Sequence, residues 1–213
     1  MTEVLENLQP VEDAEESEEE ENEVQLSDPN FAIIVSFLEQ FGNILVADKP
    51  PIMSELISWL SNTDDGKTNK LTYYSLIFYF FLPIVAPELQ DLHVKLLRKI
   101  KKSVQPGKWE NAIIKFCYSY GSNQDAWEVE RFGYKKSNLS VKLRILKNLL
   151  EMQFDVNTKF KTLINAKPST ELRLEPFGKD KFGNNYWVQL DETCNIKIFQ
   201  ENPDDETFQV VAR

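Results

Sequence analysis

The chain is short of the residues from which metal sites, disulfide frameworks and nucleotide loops are built. It has one histidine, His93, and two cysteines, Cys117 and Cys194, which lie in different segments without a C-x-x-C spacing. A typical structural zinc site and a disulfide framework are therefore excluded, and a thiol-reduced cytosolic or nuclear setting is expected. There is no glycine-lysine P-loop and no Gly-x-Ser-x-Gly elbow, and no serine or cysteine stands in a recognised arrangement with His93. The carboxylate pairs Asp64-Asp65 and Asp204-Asp205 fall in turn-like sequence and read as solvated. These absences predict a protein that is not an enzyme, with no cofactor, no metal and no small-molecule substrate. The first residues hold no positive n-region followed by an apolar run, so no signal peptide is expected.

Acidity is present, but in one place. At 213 residues the chain suits one domain of moderate size with appended tails, and its net charge of −10 would argue against a nucleic-acid partner if it were evenly spread. Residues 1–28 hold 12 carboxylates and no lysine or arginine, so the remainder carries +2. The run from Val11 to Glu23 has too few apolar side chains to offset chain entropy, which predicts a disordered acidic tail over 1–27. Two readings stand for it: a solvated tail, or one that engages histones or masks a basic surface in cis.

From Ser27 onward the apolar residues recur at helical spacing. Asp28-Pro29 forms a cap followed by proline, and Phe31, Ile34, Val35, Leu38 and Phe41 define a face that Gly42 is expected to end. A second helix is predicted over 51–60, with Ile52, Leu56, Trp59 and Leu60 inward, and a third over 87–104 with Leu89, Leu92, Leu96, Ile100 and Val104 as its stripe. His93 is expected at the border of the core. Trp109, Ala112, Ile113, Phe116, Cys117 and Tyr120 form the next helix, ended by Gly121. A short one follows over 125–132 around Trp127 and Val129. Asn138 opens another through Leu139, Leu143, Leu146 and Leu150, and Asp155 is expected to cap a last helix carrying Val156, Phe160, Leu163 and Ile164. After Lys167-Pro168-Ser169 the pattern changes, and strands around Trp187, over 196–199 and over 208–211 predict a small antiparallel β-meander. The fold class is thus mainly α, a helical bundle closed by a short meander, divided into 1–27, 28–104, 105–168 and 169–213.

Two surfaces stand out as candidate sites. Lys95, Arg98, Lys99, Lys101 and Lys102 fill the arc of the third helix opposite its apolar stripe, where they could neutralise phosphates in a sequence-blind grip on DNA, or simply face water. The second is Glu175-Pro-Phe-Gly-Lys-Asp-Lys-Phe-Gly-Asn-Asn-Tyr-Trp-Val-Gln-Leu190, in which Gly178 and Gly183 bracket Lys179, Asp180 and Lys181. Gly178 suits a turn conformation closed to other residues, and Asp180 either accepts hydrogen bonds from a partner cation or caps its own turn. Tyr186 and Trp187 read as the apolar anchors of that loop.

These segments together resemble DDT/WHIM-containing accessory subunits of imitation-switch chromatin remodellers, over about residues 28–213. Asp28-Pro-Asn-Phe-Ala-Ile-Ile-Val-Ser-Phe-Leu-Glu-Gln-Phe-Gly42 resembles the opening DDT helix, and Leu92-His-Val-Lys-Leu-Leu-Arg-Lys-Ile100 a later one. Leu139-Ser-Val-Lys-Leu-Arg-Ile-Leu-Lys-Asn-Leu-Leu150 with Gln153-Phe-Asp155 is similar to the first WHIM block, and Leu172-Arg-Leu-Glu-Pro-Phe-Gly-Lys-Asp180 with Asn185-Tyr-Trp187 to the second. The nearest likeness is to the N-terminal regions of large, histone-binding subunits of the remodeling-and-spacing type. The resemblance implies a nuclear, non-catalytic module that contacts the imitation-switch ATPase and linker DNA in nucleosome spacing, with Gly178 and Asp180 at the partner contact. The zinc-binding histone-reading finger of such subunits is missing, so histone-tail reading is not expected here.

One stretch departs from that resemblance. Leu71-Thr-Tyr-Tyr-Ser-Leu-Ile-Phe-Tyr-Phe-Phe-Leu-Pro-Ile-Val-Ala-Pro87 is uncharged and aromatic, where the family expects a short connection. Residues 67–82 read as a translated retained intron, since Gly66-Lys67 can be encoded around a splice donor and Phe-Tyr-Phe-Phe-Leu-Pro by a pyrimidine tract. An extra core helix and a membrane segment are the competing readings, and the last leaves open a membrane-tethered interaction protein anchored through 71–87.

Overall fold

A computed structural model describes residues 28–46, 49–61, 85–100, 103–191, 194–204 and 207–212. The acidic tail, residues 62–84 and the pair Lys101 and Lys102 lie outside the described residues. Within them the chain is mainly helical and ends in a four-stranded antiparallel sheet. The helices are α1 (Pro29–Leu45), α2 (Met53–Ser61), α3 (Pro87–Ile100), α4 (Trp109–Tyr120, entered through a 3-10 turn at Pro106–Lys108), α5 (Asn123–Phe132), α6 (Leu139–Val156), α7 (Thr158–Asn165) and the single turn α8 (Ser169–Leu172).

Helix α1 starts as its sequence predicts, with the Asp28 carboxylate accepting the Asn30 amide at 2.8 Å and Pro29 in the first turn. It does not stop at Gly42. The helix continues to Leu45, and a Cβ on Gly42 would lie 2.5 Å from Cβ of Pro50, so the glycine is there to let the returning chain pass close to the helix. The described part of α3 ends at Ile100, and Val104, expected at the helix end, lies outside any helix, with its carbonyl accepting from Arg98 Nε at 2.9 Å. The boundary expected at Asp155 also moves: α6 runs through Val156, and Asn157 caps α7 by accepting the Phe160 amide at 3.1 Å. Asp155 and Asn157 are both good caps, and the chain uses the one that lets α6 complete its last turn.

Helix α6 is the axis of the bundle, with Leu143, Leu146, Leu149 and Leu150 buried along it, packing chiefly against α1 and α3. Phe37 and Phe41 of α1 meet Phe154 edge-to-face with centroids 5.5 and 5.6 Å apart, Phe41 meets Phe160 the same way at 5.8 Å, and Phe37 stacks on Phe160 at 6.3 Å. His93 lies inside the core rather than at its border. Its Nδ1 lies 2.7 Å from the Leu89 carbonyl, which can only accept, so Nδ1 carries the proton and Nε2 accepts from the Tyr134 hydroxyl at 3.0 Å. Burial lowers its pKa to about 4, keeping the ring neutral. Asp125 is buried as well and is held bidentately by Arg144 at 2.6 and 3.2 Å.

Trp127, expected at the centre of α5, is 51% exposed, because Asp125, Ala126 and Val129 take the inward positions. Its indole instead supports the guanidinium of Arg131, 5.1 Å from the ring centroid. Val85 and Ala86, the last residues before α3, are packed into the core, so that end of the apolar 71–87 stretch belongs to the bundle. No described helix is long and apolar enough to cross a membrane.

Candidate functional site

The sheet strands are β1 (Gly178–Lys179), β2 (Asn185–Leu190), β3 (Ile196–Asn202) and β4 (Thr207–Ala212), in that spatial order. The meander expected from the sequence is present, with one short strand added at its start. Trp187 pairs with Phe199 and Gln189 with Lys197, which puts Trp187, Gln189 and Phe199 on one face. That face looks across a cleft of about 970 Å³ towards Ala32, Ile33 and Phe37 of α1. Phe199 is the one sheet side chain that is fully withdrawn from water, at 3% exposure.

Asp180 is the centre of the turn between β1 and β2. Its Oδ1 accepts the amides of Phe182 at 2.8 Å and Asn184 at 3.0 Å, and its Oδ2 accepts Asn184 Nδ2 at 2.9 Å and the Tyr186 hydroxyl at 3.2 Å. These bonds, with that from the Asn184 side chain foremost, hold the carboxyl below the usual carboxylate range. The Tyr186 hydroxyl is raised, first by desolvation and then by its bond to Asp180. Both oxygens of Asp180 are thus committed to the loop's own shape, which is the turn-capping alternative in atomic form.

Gly178 does not adopt the special conformation expected of it. It sits in β1 paired with Tyr186, and of the two glycines in this hairpin the one with positive φ is Gly183, at 98°. The reason is positional: Gly178 precedes the turn and is extended, whereas Gly183 must reverse the chain. Lys179 and Lys181 are exposed at the tip, and Lys181 Nζ lies 4.9 Å from the ring centroid of Phe182. Tyr186 and Trp187 are half-buried anchors. The indole N–H of Trp187 donates to Glu201 Oε2 at 2.7 Å.

Two residues at this site were not among the candidates read from the sequence. Phe177 and Phe182 are 83% and 78% exposed, on either side of the lysines. A phenylalanine next to a glycine in a polar turn was the available signal, but alternation cannot tell an exposed ring from an anchoring one.

The cations of α3 are less uniform than their sequence suggests. Lys95 pairs with Asp91 at 2.7 Å, Arg98 reaches the Val104 carbonyl, and Lys99 is exposed on the outer arc. The structure therefore brings Gly178, Lys179, Asp180 and Lys181 together on one hairpin and Lys95, Arg98 and Lys99 on another element. Among the described residues no group of three or more histidine, cysteine or acidic side chains could hold a metal ion.

No protein-family profile matches the chain, and no solved structure matches it. Over 181 residues it is 39% identical to human Remodeling and spacing factor 1, an alignment that takes in 84% of this chain and 12% of that protein. The chain thus spans a small part of the relative it matches. Over most of its own length, this chain is similar to human Remodeling and spacing factor 1.

Proposed function

We propose that this chain is a non-catalytic accessory module of an imitation-switch chromatin-remodelling assembly, acting in the nucleus in nucleosome assembly and spacing. The observation that carries the reading is its 39% identity over 181 residues to Remodeling and spacing factor 1. In this reading 28–104 is a DDT-type helical region, and the two WHIM-type blocks follow it. The turn bearing Gly178, Lys179, Asp180 and Lys181 contacts the ATPase subunit. Asp180 contributes by fixing the loop, since its oxygens are already bonded, while Lys179, Lys181 and the exposed ring of Phe182 supply the outward chemistry. The cations of α3, with Lys101 and Lys102 beyond its described end, bind linker DNA weakly and without sequence preference. The acidic tail supplies a further contact for histones.

The test is a paired measurement on the intact chain with a purified imitation-switch ATPase and with duplex DNA. Lys179→Glu with Lys181→Glu should weaken ATPase binding at least tenfold and spare DNA. Charge reversal at Arg98, Lys99 and Lys102 should weaken DNA binding and lower its salt slope, with ATPase binding spared. If both sets reduce DNA binding alike and leave the ATPase untouched, the turn belongs to the DNA surface and the assignment is wrong.

A further inference from the structure

Helix α5 carries its aromatic side chains on the outside. Trp127 and Phe132 are each about half exposed, while Ala126 and Val129 of the same helix are buried. Gly133, at φ 80°, ends the helix directly after Phe132, and the next aromatic, Tyr134, goes into the core. Between the two outer rings stands Arg131, with Cζ 5.1 Å from the Trp127 centroid and 5.4 Å from that of Phe132. Rings engage the face of a guanidinium and leave its N–H fork to bond in its own plane. Among the described residues Arg131 makes no ion pair with a carboxylate.

Charge around the rings is sorted by sign. The three carboxylates of α5 are all bonded within the protein: Asp125 to Arg144, Glu128 to the Asn138 amide at 2.7 Å, and Glu130 to the Tyr118 hydroxyl at 3.0 Å. Lys135 and Lys136, just beyond the helix, make no ion pair among the described residues. The charge left to meet a ligand is therefore positive, and it adjoins two half-exposed rings. A run of phosphates is poorly matched, because Glu128 and Glu130 keep their charge within one turn of Arg131. Tryptophan and arginine side by side are instead what the centre of a protein interface is made of. A carboxylate fits the fork in plane, and an apolar side chain next to it fits the rings.

We propose that Trp127, Arg131 and Phe132 form a docking surface for an acidic segment of another protein. One carboxylate of the segment takes the Arg131 fork, a neighbouring leucine or phenylalanine covers the rings, and Lys135 and Lys136 draw in its remaining negative charge. The surface uses neither the 178–181 turn nor the cations of α3, so it goes beyond the remodeller reading and stands or falls separately from it.

The test is a nuclear magnetic resonance titration of the full chain, reading the Trp127 indole N–H and the Arg131 Nε–H. The probes are a short peptide alternating glutamate with leucine and phenylalanine, the same peptide with serine at its apolar positions, its lysine-for-glutamate counterpart, and a single-stranded thymidine oligonucleotide. The acidic, apolar peptide should move both resonances saturably, with the serine peptide about tenfold weaker and the lysine peptide inert. Arg131→Lys, which keeps the charge and removes the fork, should weaken the first peptide about tenfold, and Trp127→Ala should do at least as much. Both positions are exposed, so the thermal midpoint should hold. Leu163→Ser, an exposed apolar position on α7, should leave the affinity unchanged. No shift with the acidic, apolar peptide, or equal binding by all three peptides, would overturn the proposal. Shifts with the oligonucleotide alone would overturn it in favour of nucleic acid. So would resonances that move when residues 1–26 are deleted with no peptide present, which would assign the surface to the chain's own acidic tail.

Discussion

The helical body and the C-terminal sheet are stabilised by different means. Every one of the largest fully buried side chains lies in the helical body, from Phe31 to Leu143 on its helices and Tyr134 in the turn between α5 and α6, while the sheet contributes Phe199 alone to the buried set. The sheet is held instead by its strand ladder and by carboxylate-centred turns, at Asp180 and again at Asp191, whose oxygens accept from the amide and side chain of Asn195 at 2.8 Å each. A body fixed by packing tolerates little change and has few ways to move. A sheet fixed by turns can keep rings such as Phe177 and Phe182 in water, and that is where the proposed partner contact lies.

The comparison is broken most severely in the body. Leu146→Ala should cost about 4 kcal/mol, because α6 packs on two sides and cannot collapse into the space left behind. Urea unfolding followed by helical circular dichroism measures it; a loss under 1 kcal/mol would mean that the bundle is loosely packed and the contrast with the sheet is false.

Acid should attack the body next. The folded pKa of His93, about 4, lies below its unfolded value of 6.5, so the unfolded chain binds the proton first. The contribution is fully present above pH 6.5, declines as pH falls, and is gone near pH 4, an integrated loss of about 3 kcal/mol. His93→Gln should flatten the fall in unfolding midpoint between pH 7 and 4.5. An unchanged slope in the variant would assign acid sensitivity to the carboxylates instead.

Helices were legible in the sequence because their apolar stripes are long, and the meander because its strands alternate. What could not be read there depends on contacts from distant parts of the chain. Gly42 looks like a stop until Pro50 is found against it, and Trp127 looks like a core residue until Asp125 is found buried in its place with Arg144. At the candidate site the lysines and Asp180 were readable as a charged turn. That Asp180 would spend both oxygens internally was not, since a partner bond and a self-cap require the same residue.

Within the sheet, Trp187→Ala should cost about 2 kcal/mol, less than a core aromatic, because the indole is half-buried but anchors one wall of the cleft and donates to Glu201. Hydrogen exchange should show the loss in β2 and β3 with α6 unaffected. If α6 amides lose protection equally, the sheet and the bundle unfold as one unit and the two regions are not separately stabilised.

The smallest effect compares the sheet's two turns directly. Asp180 and Asn184 enclose one, Asp191 and Asn195 the other, and in each the residue before the asparagine has positive φ. In the first that residue is Gly183, at 98°, and in the second it is Cys194, at 66°. A left-handed conformation brings Cβ against the carbonyl and costs a non-glycine residue about 1 kcal/mol, so the second turn is the strained copy of the first. Cys194→Gly removes that strain but also frees the unfolded chain, which offsets part of the gain. The net expectation is a stabilisation of about 0.5 kcal/mol, localised to β2 and β3, and the reciprocal Gly183→Cys should destabilise β1 and β2 by a similar or larger amount. Amide exchange in the two variants reads both signs at once. If Cys194→Gly weakens the sheet, the exposed thiol makes a contact of its own, and the second turn is more than a copy of the first.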